Sequence, residues 1–166
     1  VSSPAETLAF LREVRLFKDI ELPELAVLAQ SLREHLLKRG QVLFREGEVG
    51  EEMFVVVRGS IVVSKAVKDR VEQVLARVSP GDFFGEMSLF DRSPRSATIQ
   101  AESDATLLSL DREALRRLTE VNPRAAAALF YALVQVFIER LRASGDLVAE
   151  VTRWGLEATG LDVDAR

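Results

Sequence analysis

The chain has 166 residues, 48% of them hydrophobic and 29% charged, with a formal net charge of −4; that suits one domain plus a terminal extension, and the mildly acidic balance argues against a broad nucleic-acid-binding face while leaving room for one local anion site. With no cysteine and one histidine, His35, a disulfide scaffold, His/Cys zinc sites and His/Cys catalytic triads are excluded, no metal is expected, and a reducing, cytoplasmic setting fits. No basic region followed by an apolar run marks a signal peptide, and the longest apolar stretch, Ala125 to Ile138, is interrupted by Gln135 and falls short of the roughly 18 residues a membrane span needs.

Ser3-Pro4-Ala5-Glu6 combines a capping box with proline at the first helical position, and Leu8, Leu11 and Val14 follow at helical spacing. Leu16 and Phe17 are expected to plug this helix onto the domain. A second short helix is predicted after Glu21, with Leu22, Leu25, Leu28 and Leu32 on one face. From about Arg33 to Leu110 the runs become short and β-branched, punctuated by Gly40, Gly47, Gly50, Gly59, Gly81 and Gly85. Strands are predicted near 34–38, 42–45, 53–58, 60–67, 71–78, 95–101 and 105–110, which implies an antiparallel sandwich or barrel. Val42, Phe44, Phe54, Val56, Ile61 and Val63 should face its interior.

Helical spacing returns at Asp111, a candidate N-cap, with Leu115 and Leu118 on the inner face. Asn122-Pro123 signals another start, for a helix reaching about Ala143 and potentially Val151. Its first half is apolar nearly all round, so it must be buried against something. Ala127, Val134, Leu141 and Val148 form one heptad row, and Phe130, Phe137, Ser144 and Val151 the other. Such a seam suits a parallel pair in a homodimer through residues 123–151; packing on the chain's own barrel is the alternative.

The chemistry concentrates in Gly81-Asp82-Phe83-Phe84-Gly85-Glu86-Met87-Ser88-Leu89-Phe90-Asp91-Arg92-Ser93-Pro94-Arg95-Ser96-Ala97-Thr98. Gly85 lets a ligand approach the backbone, and Glu86 to Phe90 has the composition of one helical turn, whose free N–H groups attract phosphate. Arg95 supplies a planar, permanently charged fork, with the small residues Ser96 and Ala97 beside it. A carboxylate at Glu86 would repel phosphate, but it suits a sugar hydroxyl next to one. The pair therefore points to a compact ligand carrying both phosphate and ribose.

Phe84-Gly85-Glu86-Met87-Ser88-Leu89 followed by Arg95-Ser96-Ala97-Thr98 resembles the phosphate-binding cassette of the cyclic nucleotide-binding domain family, which includes catabolite activator proteins, kinase regulatory subunits and gated channels. Weaker resemblance covers Gly40 to Glu48 and Met53 to Ile61. The resemblance implies an eight-stranded β-roll (jelly roll), mainly β, with N-terminal helices and a long C-terminal helix. The domain would occupy 1–150, with the roll at about 33–110, the C-terminal helices at about 111–150 and a partly ordered tail at 151–166.

By the same resemblance, Glu86 accepts from the ribose 2′-hydroxyl, Arg95 pairs with the cyclic phosphate, and Gly85, Ser96 and Ala97 offer backbone donors. Phe84, Met87 and Ser88 complete the cassette, and Val71 and Leu75 line the base pocket. Polar residues of the long helix reach the purine in activators, so Ser144 is either a base contact or a small residue tolerated in the seam. Trp154 is a lid over the base or, the preferred reading, a residue that docks the last helix.

The implied function is non-catalytic sensing of cyclic AMP, ahead of cyclic GMP, with no cofactor and with a ligand-dependent shift of the C-terminal helices. The residues themselves do not choose between the two nucleotides. About fifteen residues follow Val151, too few for a helix-turn-helix DNA-binding domain, and the stretch from Leu156 reads as frayed. Two alternatives stand beside this: a degenerate module used only for dimerisation or partner docking, and a cupin-like metal enzyme, which the single histidine disfavours.

Overall fold

The computed structural model describes residues 3–67 and 71–158. It opens with helices α1 (Pro4–Glu13) and α2 (Leu22–Ser31). The Ser3 hydroxyl accepts from the Glu6 amide and the Glu6 carboxylate accepts from the Ser3 amide, completing the capping box at the start of α1. Leu11, Val14, Leu16 and Phe17 are all buried, so the first helix and its connector are seated as the spacing requires.

Eight strands follow: β1 (Arg33–Leu37), β2 (Val42–Phe44), β3 (Glu52–Arg58), β4 (Ile61–Val67), β5 (Val71–Val78), β6 (Phe83–Phe84), β7 (Thr98–Ala101) and β8 (Ala105–Asp111). They form two antiparallel four-stranded sheets, ordered β1-β8-β3-β6 and β2-β7-β4-β5. This is the expected mainly β roll with flanking helices.

Alternation along β3 explains its unbroken apolar run. Phe54 and Val56 point between the sheets, joining Leu37, Ile61, Phe84, Ile99 and Leu107. Met53 and Val55 point the other way, with Leu108 and Leu110 of β8, into a second core shared with the helices. β3 and β8 are thus buried on both faces, and a strand buried on both faces shows no polar alternation.

Three differences from the sequence reading have local causes. The strand predicted at 95–101 begins only at Thr98, because Arg95 pairs by itself with the β2–β3 turn: its amide donates to the Glu48 carbonyl and its carbonyl accepts from the Gly47 amide, both at 2.8 Å. Strand β6, two residues opposite Phe54 and Val55, is too short to announce itself by pattern. In β2 a register shift between Val42 and Phe44 breaks the alternation, so Leu43 joins Phe44 against the core where Val42 was expected.

Two helices complete the described residues, α3 (Arg112–Val121) and α4 (Pro123–Ala158). Asp111 and Asn122 cap them, accepting from Ala114 N at 2.6 Å and Ala125 N at 3.0 Å. Helix α4 buries Ala125, Ala126, Leu129 and Leu133 against the domain. Phe130 and Phe137 also pack inward, against Phe90, so the second heptad row begins as an intrachain contact. The first row stays outside, with Val134, Leu141 and Val148 exposed. Trp154 is 61% exposed on α4, contrary to the docked position expected for it. The rest of the tail, 159–166, lies outside the described residues.

Candidate functional site

Gly85 adopts a left-handed conformation, φ 76°, and caps a 3₁₀ turn over Glu86–Leu89. A side chain there would be strained by the backbone, and a Cβ would come within 2.9 Å of both Arg95 Nη1 and the Glu52 carbonyl. Leu89 anchors the turn in the helical core. Arg112, the first residue of α3, clamps its far end by donating Nη2 to the carbonyls of Ser88 (2.7 Å) and Asp91 (3.0 Å). The cassette is therefore tied directly to the helices that follow the roll.

Arg95 is only 7% exposed. Its Nη1 donates to the Glu52 carbonyl at 3.0 Å and to the Ser88 hydroxyl at 2.9 Å. The guanidinium lies over the Phe44 ring, 4.0 Å from the centroid, and its buried Nε has no hydrogen-bond partner among the described residues. Burial pushes the guanidinium below its ordinary pKa, and the charges of Glu52 and Glu48 partly offset that. A buried cation bonded only to neutral acceptors keeps an uncompensated charge that favours an anion beside it.

Glu86 is 3% exposed, and its Oε1 accepts from Arg140 Nη1 of α4. That leaves Oε2 for a second donor. Arg140 also lies over the Phe83 ring at 5.3 Å. Glu86, Arg95 and Arg140 all wall one cavity of about 340 Å³, together with Phe44, Val63, Phe84, Gly85, Met87, Ser88, Ser96, Ala97 and Ile99. An apolar floor, charged groups of both signs and the start of a short helical turn are the parts a small phosphate-bearing ligand requires.

The cassette residues singled out from sequence converge here: Phe84, Gly85, Glu86, Met87, Ser88, Arg95, Ser96 and Ala97 all line the cavity. Within it the Ser88 hydroxyl is spent on Arg95, and Phe84 stacks on Phe54 at 5.4 Å as part of the roll core. Leu75 and Ser144 are not among the wall residues. Leu75 is the extra residue at a bulge, since Val63 pairs with Ala76 and Ser64 with Val74, and it is 53% exposed. Ser144 is exposed one helical turn beyond Arg140, on the same side of α4. The side chain of Val71 lies outside the described residues.

Sequence reasoning passed over Phe44 as a site residue, and with it Val63, Ile99 and Arg140. Only Arg140 had a usable signal, four positions before Ser144 on one helix face.

Comparison with known proteins agrees with this geometry. Residues 34–122 match the family model described as "Cyclic nucleotide-binding domain". A CRP-like cAMP-activated global transcriptional regulator of Mycobacterium tuberculosis is 28% identical over 141 residues, covering 85% of this chain and 61% of that protein. The chain thus spans less than two thirds of that relative's length. Among solved structures, the N-terminal domain of a transcriptional regulator from Streptomyces coelicolor superposes with a TM-score of 0.72 at 36% identity, covering 84% of this chain and 94% of that one. A cyclic nucleotide-binding domain from Methylobacillus flagellatus gives 0.74 at 28% identity, covering 89% and 83%. With the family model spanning more than half of its length and the cassette, roll and terminal helices all in place, this chain belongs to the cyclic nucleotide-binding domain family.

Proposed function

We propose that this chain is a non-catalytic, cytoplasmic sensor domain, residues 1–150, that binds a cyclic nucleoside monophosphate, with cyclic AMP ahead of cyclic GMP. The observation that carries the reading is Arg95: a buried guanidinium bonded only to neutral acceptors, walling the same cavity as the buried carboxylate of Glu86. In this reading Arg95 takes the cyclic phosphate, with backbone amides of Gly85, Ser96 and Ala97. Glu86 Oε2 accepts from the ribose 2′-hydroxyl. The base extends toward β5 and α4, which carry Val71, Leu75 and Ser144, with Leu75 and Ser144 outside the cavity wall. That the relative from M. tuberculosis is named as cAMP-activated supports cyclic AMP.

The same reading makes the domain a homodimer through the exposed row of α4. It also makes ligand occupancy a lever on the C-terminal helices, through Arg112 and Arg140, because both touch the cassette. A ligand moves such an equilibrium only as far as it binds one arrangement more tightly.

Calorimetric titration with cyclic AMP, cyclic GMP and linear 5′-AMP tests this. Cyclic nucleotide should bind and the linear one should bind markedly more weakly. Arg95→Ala should weaken binding by roughly a hundredfold or more, the usual result of removing one partner of a buried charge pair. Equal binding of linear AMP, or indifference to Arg95→Ala, would contradict it. One observation favours a second reading, a degenerate module that only dimerises or docks: Glu86 is already engaged by the chain's own Arg140. In that case no nucleotide binds, and Arg95→Ala changes nothing.

A further inference from the structure

Gly50, in the β2–β3 connection, is a glycine for reasons of space. It lies outside the left-handed region, so its backbone conformation is open to other residues. A Cβ built there, however, would overlap Nε, Cζ and Nη2 of Arg95. Other neighbours fix the guanidinium as well, leaving it on the cavity wall. Phe44 lies under its face, the Glu52 carbonyl and Ser88 hydroxyl hold Nη1, and Gly85 leaves just enough room beside Nη1. The Arg95 backbone is itself pinned to Glu48 and Gly47 on the same connection.

We propose that Gly50 is a positioning residue for the phosphate grip: by presenting no side chain it forms one wall of a seat that holds the Arg95 fork in place before a ligand arrives. The proposal rests on Arg95 being the phosphate ligand. An arginine side chain carries about 2 kcal/mol of rotamer entropy, and a fork fixed in advance does not lose that freedom on binding. A methyl group at position 50 would have to be cleared by more than about 1 Å to reach ordinary carbon contact distance. The far end of a flexible side chain yields before a paired backbone does. The guanidinium is therefore what moves, away from the position shared with the amides of the cassette.

The test is titration of cyclic AMP and cyclic GMP into the unaltered chain, Gly50→Ala, Arg95→Lys and the double variant. Gly50→Ala should lower the affinity about tenfold or more, since misplacement of a charged group on this scale is costly, while the melting temperature stays close to that of the unaltered chain. A lysine still attracts phosphate as a point charge but lacks the Nε/Nη2 branch that meets position 50. In the Arg95→Lys background, Gly50→Ala should therefore change affinity by less than about twofold, the non-additivity that marks action through Arg95. An equal loss in both backgrounds overturns the proposal, as does undiminished binding by Gly50→Ala. If Gly50→Ala does not fold alone, it must fold beside Arg95→Lys; failure there also overturns it. If the unaltered chain binds neither nucleotide, the functional reading itself falls and the seat loses its purpose, an outcome distinct from the others.

Discussion

Glu86, Arg95 and Arg140 each owe their position in the cavity to a neighbour remote in sequence, and single substitutions separate their contributions. Glu86 is buried with Arg140 as its countercharge, whereas Arg140 is half exposed. Arg140→Ala strands a carboxylate without a partner and should destabilise the fold by about 1–3 kcal/mol, measured by urea unfolding. Adding Glu86→Gln should recover most of that loss, because the stranded charge is gone; a cycle without such recovery would show that the pair contributes little. Arg112 makes two bonds to carbonyls of the cassette. Arg112→Ala should cost about 1–3 kcal/mol and lower the melting temperature by roughly 2–4 °C per kcal/mol in a domain of this size. Glu86 and Arg95 were legible in the sequence, since both lie in one short cassette. Phe44 and Gly50 were not, and Arg140 only through its place four positions before Ser144, because 45 or more positions separate each from the group it serves and no spacing rule spans that distance.

Helix starts were the most legible elements. Ser3, Asp111 and Asn122 all accept backbone bonds at the ends where they were expected. Asp111→Ala should cost about 1 kcal/mol through the lost cap, read as a lower melting temperature with an unchanged urea m-value. Strand detail was less legible wherever a bulge or a local pairing intervened: the facing of Val42 and Leu75, and the start of the strand predicted from Arg95. The length of α4 was under-read too: it runs on through Ala158, past the predicted end. Its outer row carries the prediction about assembly. Leu141 is 75% exposed and Val134 and Val148 are also exposed, so Leu141→Glu removes nothing from the chain's own core. It should leave the melting behaviour of the roll intact and convert a dimer to a monomer in sedimentation velocity. A protein that sediments as a monomer before the substitution would rule out the α4 seam.

Among the described residues, the carboxylates with displaced titration sit on the surface and share one direction. Glu6 is held low by the Ser3 amide, Asp91 by Ser93, Glu102 and Asp104 by Arg77 and Lys38, and Glu113 by Arg116. A depressed folded-state pKa adds stability above the unfolded value, and that stability disappears as pH falls through the folded one. The melting temperature should therefore be flat from neutrality down to about pH 5 and fall below about pH 4, with a shallower fall in high salt, where exposed pairs are screened. A fall that begins already near neutrality would overturn this account. By itself the sequence determined the kinds of elements, the caps that begin them, the glycine turns between strands, and the cassette that holds Glu86 and Arg95 within ten positions of each other. All of these depend on neighbours along the chain, where spacing and composition carry the information. Tertiary structure decided which face of β3 met the helices, how the bulges set register, and that an aromatic ring from β2, a glycine from the next loop and an arginine from α4 would close around the cassette. Those meetings depend on sheet pairing and helix packing, which bring together residues that no local pattern relates.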